Sequence, residues 1–100
     1  MTRRIRVLVF SIAPDDEPGA VEAAYHRICH DLVGTPGLLG NELLRRVDDG
    51  RRFAVMSEWE SLSAFREWEA GPAHRAATAP LRPYHDQEMA VGIYEVAGRY

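Results

Sequence analysis

The sequence predicts a small α+β domain with the element order β-α-β-β-α-β, and three observations carry that expectation. Segments 6–12, 38–47 and 52–59 are rich in β-branched, aromatic or aliphatic residues and stop at clusters of Gly, Pro or Asp. Between the first two, Val21, Ala24, Tyr25, Ile28 and Leu32 recur at helical spacing. A second helical stripe, Leu62, Ala64, Phe65 and Trp68, follows the third.

Each element has a physical start and stop. Strand one, residues 6–12, halts at Ala13-Pro14-Asp15-Asp16, where Asp15 or Asp16 can cap the helix that follows and Pro18 suits a first helical turn. Helix one runs to about residue 33 and ends in Gly34-Thr35-Pro36-Gly37, whose glycines permit left-handed backbone while the proline forbids continuation. Strands 38–47 and 52–59 form a hairpin through Asp48-Asp49-Gly50, with Gly50 available for positive φ. Ser61 caps the second helix, and Arg66 and Glu67 fall on its wet side. Gly71-Pro72 breaks that helix, so residues 73–79 form an offset helical piece that ends before Pro80 and Pro83. A last strand spans residues 88–96. No repeat, linker or low-complexity stretch interrupts the 100 residues, which read as a single domain, 1–100.

This order is that of the ferredoxin-like split βαβ unit, an antiparallel four-stranded sheet with both helices on one face. The other face then needs cover. Strand one is apolar on both sides, with Val7 and Val9 on one and Leu8 and Phe10 on the other. Leaving such side chains in water forfeits roughly 1.5–3 kcal/mol each, against the ~5–15 kcal/mol that stabilises a whole domain. A second copy packed sheet against sheet is the economical cover, so a homodimer is expected.

Composition excludes several function classes. The chain is 46% hydrophobic and 27% charged, and no apolar run approaches the roughly 18–20 residues of a membrane span. The run that follows the basic start Met1-Thr2-Arg3-Arg4-Ile5-Arg6 is too short for a signal-peptide core, which points to a cytoplasmic chain. Net charge is −3 and the 12 basic residues are all arginines, scattered instead of gathered into a stripe, so nucleic acid is not an expected partner. Cys29 is the only cysteine, which rules out an internal disulfide and cysteine-based zinc or iron–sulfur spacing; it reads as a packed thiol. Glu22, His26 and His30 have the four-residue spacing of a helical metal clip but lie opposite the core stripe with no further Cys or His to join them, so no metal site is expected. Ser57 and Ser61 lack the flanking residues of a hydrolase nucleophile, and no Gly-rich phosphate loop is present.

The segment Pro36-Gly37-Leu38-Leu39-Gly40-Asn41-Glu42-Leu43-Leu44-Arg45, the Ser-x-Trp-x-Ser junction from Ser57 to Ser61, and the series Phe65, Trp68, His74 resemble the antibiotic biosynthesis monooxygenase family. The resemblance implies a dimeric α+β barrel, in agreement with the topology and the two-sided strand. Family oxygenases that turn polycyclic aromatic polyketides into quinones use O2 without metal or flavin. They carry an Asn four residues before the junction Trp and a Tyr six after it. Here Trp59 matches, while those two positions are Val55 and Phe65. A second branch degrades haem with a His on the broken second helix, a helical Trp and an Asn on strand one. Trp68 matches that Trp; the His position falls at Ala77, with His74 one turn earlier, and residues 7–10 offer no amide.

Phe53, Val55, Ser57 and Trp59 alternate onto one face, which is the helix-covered face if Trp59 points into a family-like pocket. Ser57 and Trp59 then supply an O–H and an indole N–H that either hold a substrate carbonyl or phenolate or anchor the strand end. Phe65 and Trp68 serve as core or as a ligand platform. His74, with an ordinary pKa of roughly 6.5, is the first choice for a base, or else a capping or surface histidine. Arg75 and Arg82 are candidates for an anionic substrate oxygen, and Asn41, Tyr84 and His85 for the pocket wall. The resulting expectation is a cofactor-independent monooxygenase, or a related tailoring enzyme, that acts with O2 on a small aromatic molecule, a polyketide-like polycyclic phenol of antibiotic biosynthesis. His74 and Trp59 are its expected catalytic residues. A haem-binding or haem-degrading domain, and a non-redox cyclase, isomerase or accessory dimer, stand as alternatives.

Overall fold

A computed structural model describes residues 3–88 and 91–100. Strand β1 (Ile5–Ile12) leads to helix α1 (Ala20–Leu32), the hairpin β2 (Leu38–Arg45) and β3 (Arg52–Trp59), helices α2 (Leu62–Ala70) and α3 (Pro72–Thr78), a 3-10 turn at Arg82–Tyr84, and strand β4 (Val91–Glu95). The strands lie in the order β2-β3-β1-β4, every neighbour antiparallel. The fold is therefore the expected ferredoxin-like α+β arrangement.

Register explains which face the helices cover. Ile5, Val7, Val9 and Ser11 of β1 stand opposite Trp59, Ser57, Val55 and Phe53 of β3. Against this row pack Val21, Ala24, Ile28 and Leu32 of α1 and Phe65 of α2, all buried. The alternate row carries Leu8 beside Met56 and Phe10 beside Ala54, with Leu44 on the other side of Ala54. Leu44 and Tyr94 on that side are exposed, at 42% and 56%.

Turn chemistry accounts for the junctions. Gly34 and Gly37 both take φ of +82°, the left-handed backbone that a side chain disfavours. Gly37 has a second constraint: a Cβ there would sit 2.4 Å from the Ala64 Cβ, because the start of β2 runs against the first turn of α2. Its carbonyl accepts from the Glu60 N–H at 2.9 Å, tying the Pro-Gly opening to the Ser-x-Trp-x-Ser junction. Ser61 Oγ accepts from the Ala64 N–H, the side-chain cap that Ser in this position implies. Gly71 and Pro72 separate α2 from α3.

Several boundaries differ from the sequence expectation. Helix α1 starts at Ala20 with Gly19 at its N-cap and no side-chain cap. Asp15 is instead drawn to Arg51, at 2.5 Å, and successive turns through Pro14 and Glu17 delay the helix. Strand β2 stops at Arg45, not residue 47, because the Arg46 guanidinium folds onto Asp48. Gly50 does not adopt positive φ. The turn is closed by Asp49, whose carbonyl accepts from the Arg52 N–H and whose carboxylate accepts from the Arg51 N–H and Arg52 Nε. Leu62, expected on the apolar side of α2, is 43% exposed at the helix start. The last strand begins at Val91; of its expected start at 88–90, Glu88 lies in a turn, and Met89 and Ala90, like Met1 and Thr2 of the basic N-terminus, lie outside the described residues.

Candidate functional site

The end of β3 places Trp59 between the sheet and α2, where it is 1% exposed. Its ring meets Phe65 edge-on with centroids 5.5 Å apart and Trp68 at 5.2 Å. Two residues earlier on the same strand face, Ser57 Oγ accepts the Trp59 Nε1–H at 2.9 Å. The indole donor, expected either to meet substrate or to anchor the strand end, is thus engaged within the protein by Ser57.

Beside this pair lies a cavity of about 100 Å³ between sheet and helices. Val7, Val9, Ile28, Val55, Phe65 and Trp68 make most of its wall apolar, and Asn41, Ser57, Glu69 and Thr78 add polar atoms. Val55 and Phe65, where family oxygenases carry Asn and Tyr, line it as hydrocarbon, so the polar groups enter from elsewhere. One enters from β2, where Asn41 stands directly opposite Ser57 in the β2–β3 register.

Asn41 is held from α1. Its Oδ1 accepts from the Tyr25 hydroxyl at 2.5 Å and from the Cys29 thiol at 3.5 Å. Burial, reinforced by the hydrogen bond and charge of the Cys29 thiol and by Glu42, pushes the Tyr25 phenol up to about 12, so it stays a protonated donor. Sequence reasoning missed Tyr25, taking it as plain core. The available signal was its i,i+4 spacing from Cys29, which puts two weak donors on one helix face.

His74 is not on the cavity wall. Its ring packs edge-on against Trp68, centroids 4.5 Å apart, and it lines a neighbouring concavity of about 420 Å³ with Glu69, Gly71, Pro72, Arg75 and Arg82. Burial, with the nearby Arg82 and Arg75 charges and against the pull of Glu69, lowers its pKa below the ordinary value. Glu69, also unforeseen from sequence, belongs to both walls and lies between the two spaces.

The remaining candidates separate. The Arg82 guanidinium donates to the Arg75 carbonyl at 3.0 Å and to Thr78 Oγ1 at 2.9 Å, so part of its donor set is structural. Arg75 is exposed at the concavity rim. Tyr84 packs against the core around α1 and away from both spaces. His85 pairs with Ser11 at the sheet edge, its pKa lowered by burial and by Arg82. Glu22 is engaged by Arg45, and among the described residues no three His, Cys, Asp or Glu side chains gather as a metal site.

An antiparallel sheet covered on one side by helices, with an apolar cavity behind the end of its third strand, defines the class of the protein. The antibiotic biosynthesis monooxygenase family model matches residues 4–80, and the chain belongs to that family. It is 28% identical over 81 residues to protein SchA of Streptomyces halstedii, a match covering 81% of this chain and 21% of SchA. It is 40% identical over 53 residues to the heme oxygenase (mycobilin-producing) of Mycobacterium tuberculosis, covering 53% of this chain and 50% of that enzyme. The matches thus span half or less of these curated relatives. Among solved structures, SnoaB, a cofactor-independent oxygenase from Streptomyces nogalater, superposes with a TM-score of 0.75 at 22% identity, covering 100% of this chain and 96% of SnoaB. That likeness is one of fold.

Proposed function

We propose that the protein is a single-domain, cytoplasmic, cofactor-independent monooxygenase, or a related tailoring enzyme, acting as a homodimer on an aromatic polyketide-like polycyclic phenol in antibiotic or other secondary-metabolite biosynthesis. The observation that carries this reading is an apolar cavity, bounded by Ser57, Trp59 and Trp68, in a chain of this family. The electron-rich anion of such a substrate itself reduces O2: a ring CH2 becomes C=O, the second oxygen atom leaves as water, and the substrate supplies all four electrons. The protein's part is to exclude water, fix the ring and stabilise the deprotonated form.

One ring occupies the cavity, and the rest of a polycyclic substrate extends past Glu69 into the concavity of His74, Arg75 and Arg82. His74, its pKa lowered, is neutral at pH 7 and takes the substrate proton there. Oxygen consumption with an anthrone-type phenol tests the reading. Turnover that falls by roughly 100-fold or more in His74→Ala, the usual scale for loss of a general base, and falls in Trp59→Phe supports it. Turnover unchanged in both variants, or no turnover at all, sinks it.

Identity to the mycobacterial heme oxygenase favours haem binding as a second reading. The described residues do not fit haem in this arrangement, since His74 touches Trp68 and not the cavity, and no other histidine lines the wall. A hemin titration separates the two: a stoichiometric Soret shift lost in His74→Ala selects haem, and a flat titration removes it. Ligand binding without O2 consumption selects the non-redox alternatives.

A further inference from the structure

We infer that Asn41 and Ser57 form a subsite for a substrate oxygen that only accepts hydrogen bonds, a carbonyl or a phenolate, and that Tyr25 and Cys29 are positioning residues that orient the Asn41 amide for it. The inference rests on reading the cavity as the substrate site and adds which oxygen it selects.

Asn41 and Ser57 are cross-strand partners on the cavity wall. An amide oxygen has two lone pairs, and those of Asn41 are taken by Tyr25 and Cys29 from one face of α1. Its Nδ2 protons have no hydrogen-bond partner among the described residues and remain for a ligand. Ser57 Oγ accepts from Trp59, which leaves the hydroxyl proton unspent. The other polar groups are partly engaged: Thr78 Oγ1 donates to the His74 carbonyl and accepts from Arg82, and one oxygen of the Glu69 carboxylate accepts from Arg66 at 2.9 Å. Beside Ser57 the wall therefore offers an N–H and an O–H, with one Ser57 lone pair remaining as an acceptor.

This arrangement discriminates between forms of one molecule. A neutral phenol brings an O–H whose acceptor between Asn41 and Ser57 is the second Ser57 lone pair, and using it turns the Ser57 proton away from the phenol oxygen. A phenolate or ketone satisfies both donors, and an unpaired donor or acceptor in a dry cavity costs more than a made bond gains. The subsite thus favours the deprotonated form, the one able to reduce O2. The Tyr25 phenol, pushed up to about 12, keeps its proton throughout and continues to claim Oδ1.

The test uses the full chain with 1-tetralone, a fused bicycle bearing one carbonyl, and tetralin, the same rings without oxygen, titrated by 1H–15N NMR. Asn41 is the only asparagine and Gln87 the only glutamine, so the side-chain NH2 signals are assignable by Gln87→Glu. The expected result is tetralone binding about tenfold tighter than tetralin, with the Asn41 NH2 pair shifting and the Gln87 pair still. Tyr25→Phe weakens tetralone about three- to tenfold and leaves tetralin unchanged, while Asn41→Leu abolishes the preference. Equal affinities, no binding of tetralone, or an unmoved Asn41 pair in the unaltered protein overturns the proposal. So does a Tyr25→Phe variant that weakens both ligands alike. Because binding is read without turnover, a protein that prefers tetralone but consumes no O2 keeps the subsite and loses the oxygenase reading; turnover without the Asn41 shift does the reverse.

Discussion

The indole N–H of Trp59 is hydrogen-bonded at 2.9 Å to Ser57 Oγ, two residues away on the same face of β3. With Trp59 only 1% exposed, Ser57→Ala strands a buried donor and is expected to cost about 1–3 kcal/mol. In a Trp59→Phe background the donor is gone, so the same Ser57 change costs less, by on the order of 1 kcal/mol. Urea unfolding of the four members of the cycle measures the difference, and strict additivity contradicts the bond's contribution.

Gly34 and Gly37 share φ of +82°, but only Gly37 faces Ala64 closely. Gly34→Ala meets nothing within 4 Å and is expected to cost about 1–2 kcal/mol through backbone strain alone. Gly37→Ala adds overpacking against α2 and should reach roughly 2–5 kcal/mol. Denaturant midpoints with unchanged slopes give both values; equal losses remove the packing argument.

His74 and His85 both have folded-state pKa values lowered mainly by burial. The unfolded chain therefore binds protons first as pH falls, so their contribution is intact above roughly pH 6.5 and is lost as pH drops from there through the lowered folded values. Melting temperatures from pH 8 to pH 5 should fall, and the His74→Gln, His85→Gln double variant should flatten that slope. Asp48, held low by its hydrogen bond with Arg46, is lost only below its ordinary 3.8 and does not contribute in this window.

The outer sheet face carries Leu8, Phe10 and Met56, with Leu44 and Tyr94 exposed at its edges. A homodimer that covers this face should sediment as such at micromolar concentration, and Leu44→Asp should shift it toward monomer while sparing the helix-side cavity. A stable monomer in the unaltered chain refutes sheet-to-sheet pairing.

Local chemistry was readable without coordinates where neighbours in sequence do the work. Ser61 caps α2 because its hydroxyl reaches an amide three residues on, Gly71-Pro72 breaks the helix by backbone geometry, and Gly34 and Gly37 turn the chain because they lack Cβ atoms. Even there, competition went unseen: Asp15 was free to cap until Arg51, 36 positions away, claimed it. Strand alternation likewise told that Ser57 and Trp59 share a face, and the Trp59 motif marked the end of β3 as the place to look.

Which groups remain available at that place was a tertiary matter. A period of two or 3.6 residues specifies the face a side chain occupies and says nothing of its neighbour on the next layer. Tyr25 and Asn41 lie 16 positions apart and meet only because the fold brings α1 against β2. His74 follows Trp68 closely in the chain, yet past the Gly71 break it lies off the cavity wall, with its ring edge-to-face against Trp68. Trp59 was recognised from sequence; that its donor is consumed by Ser57, leaving the hydroxyl and the Asn41 amide facing the cavity, follows from packing and register alone.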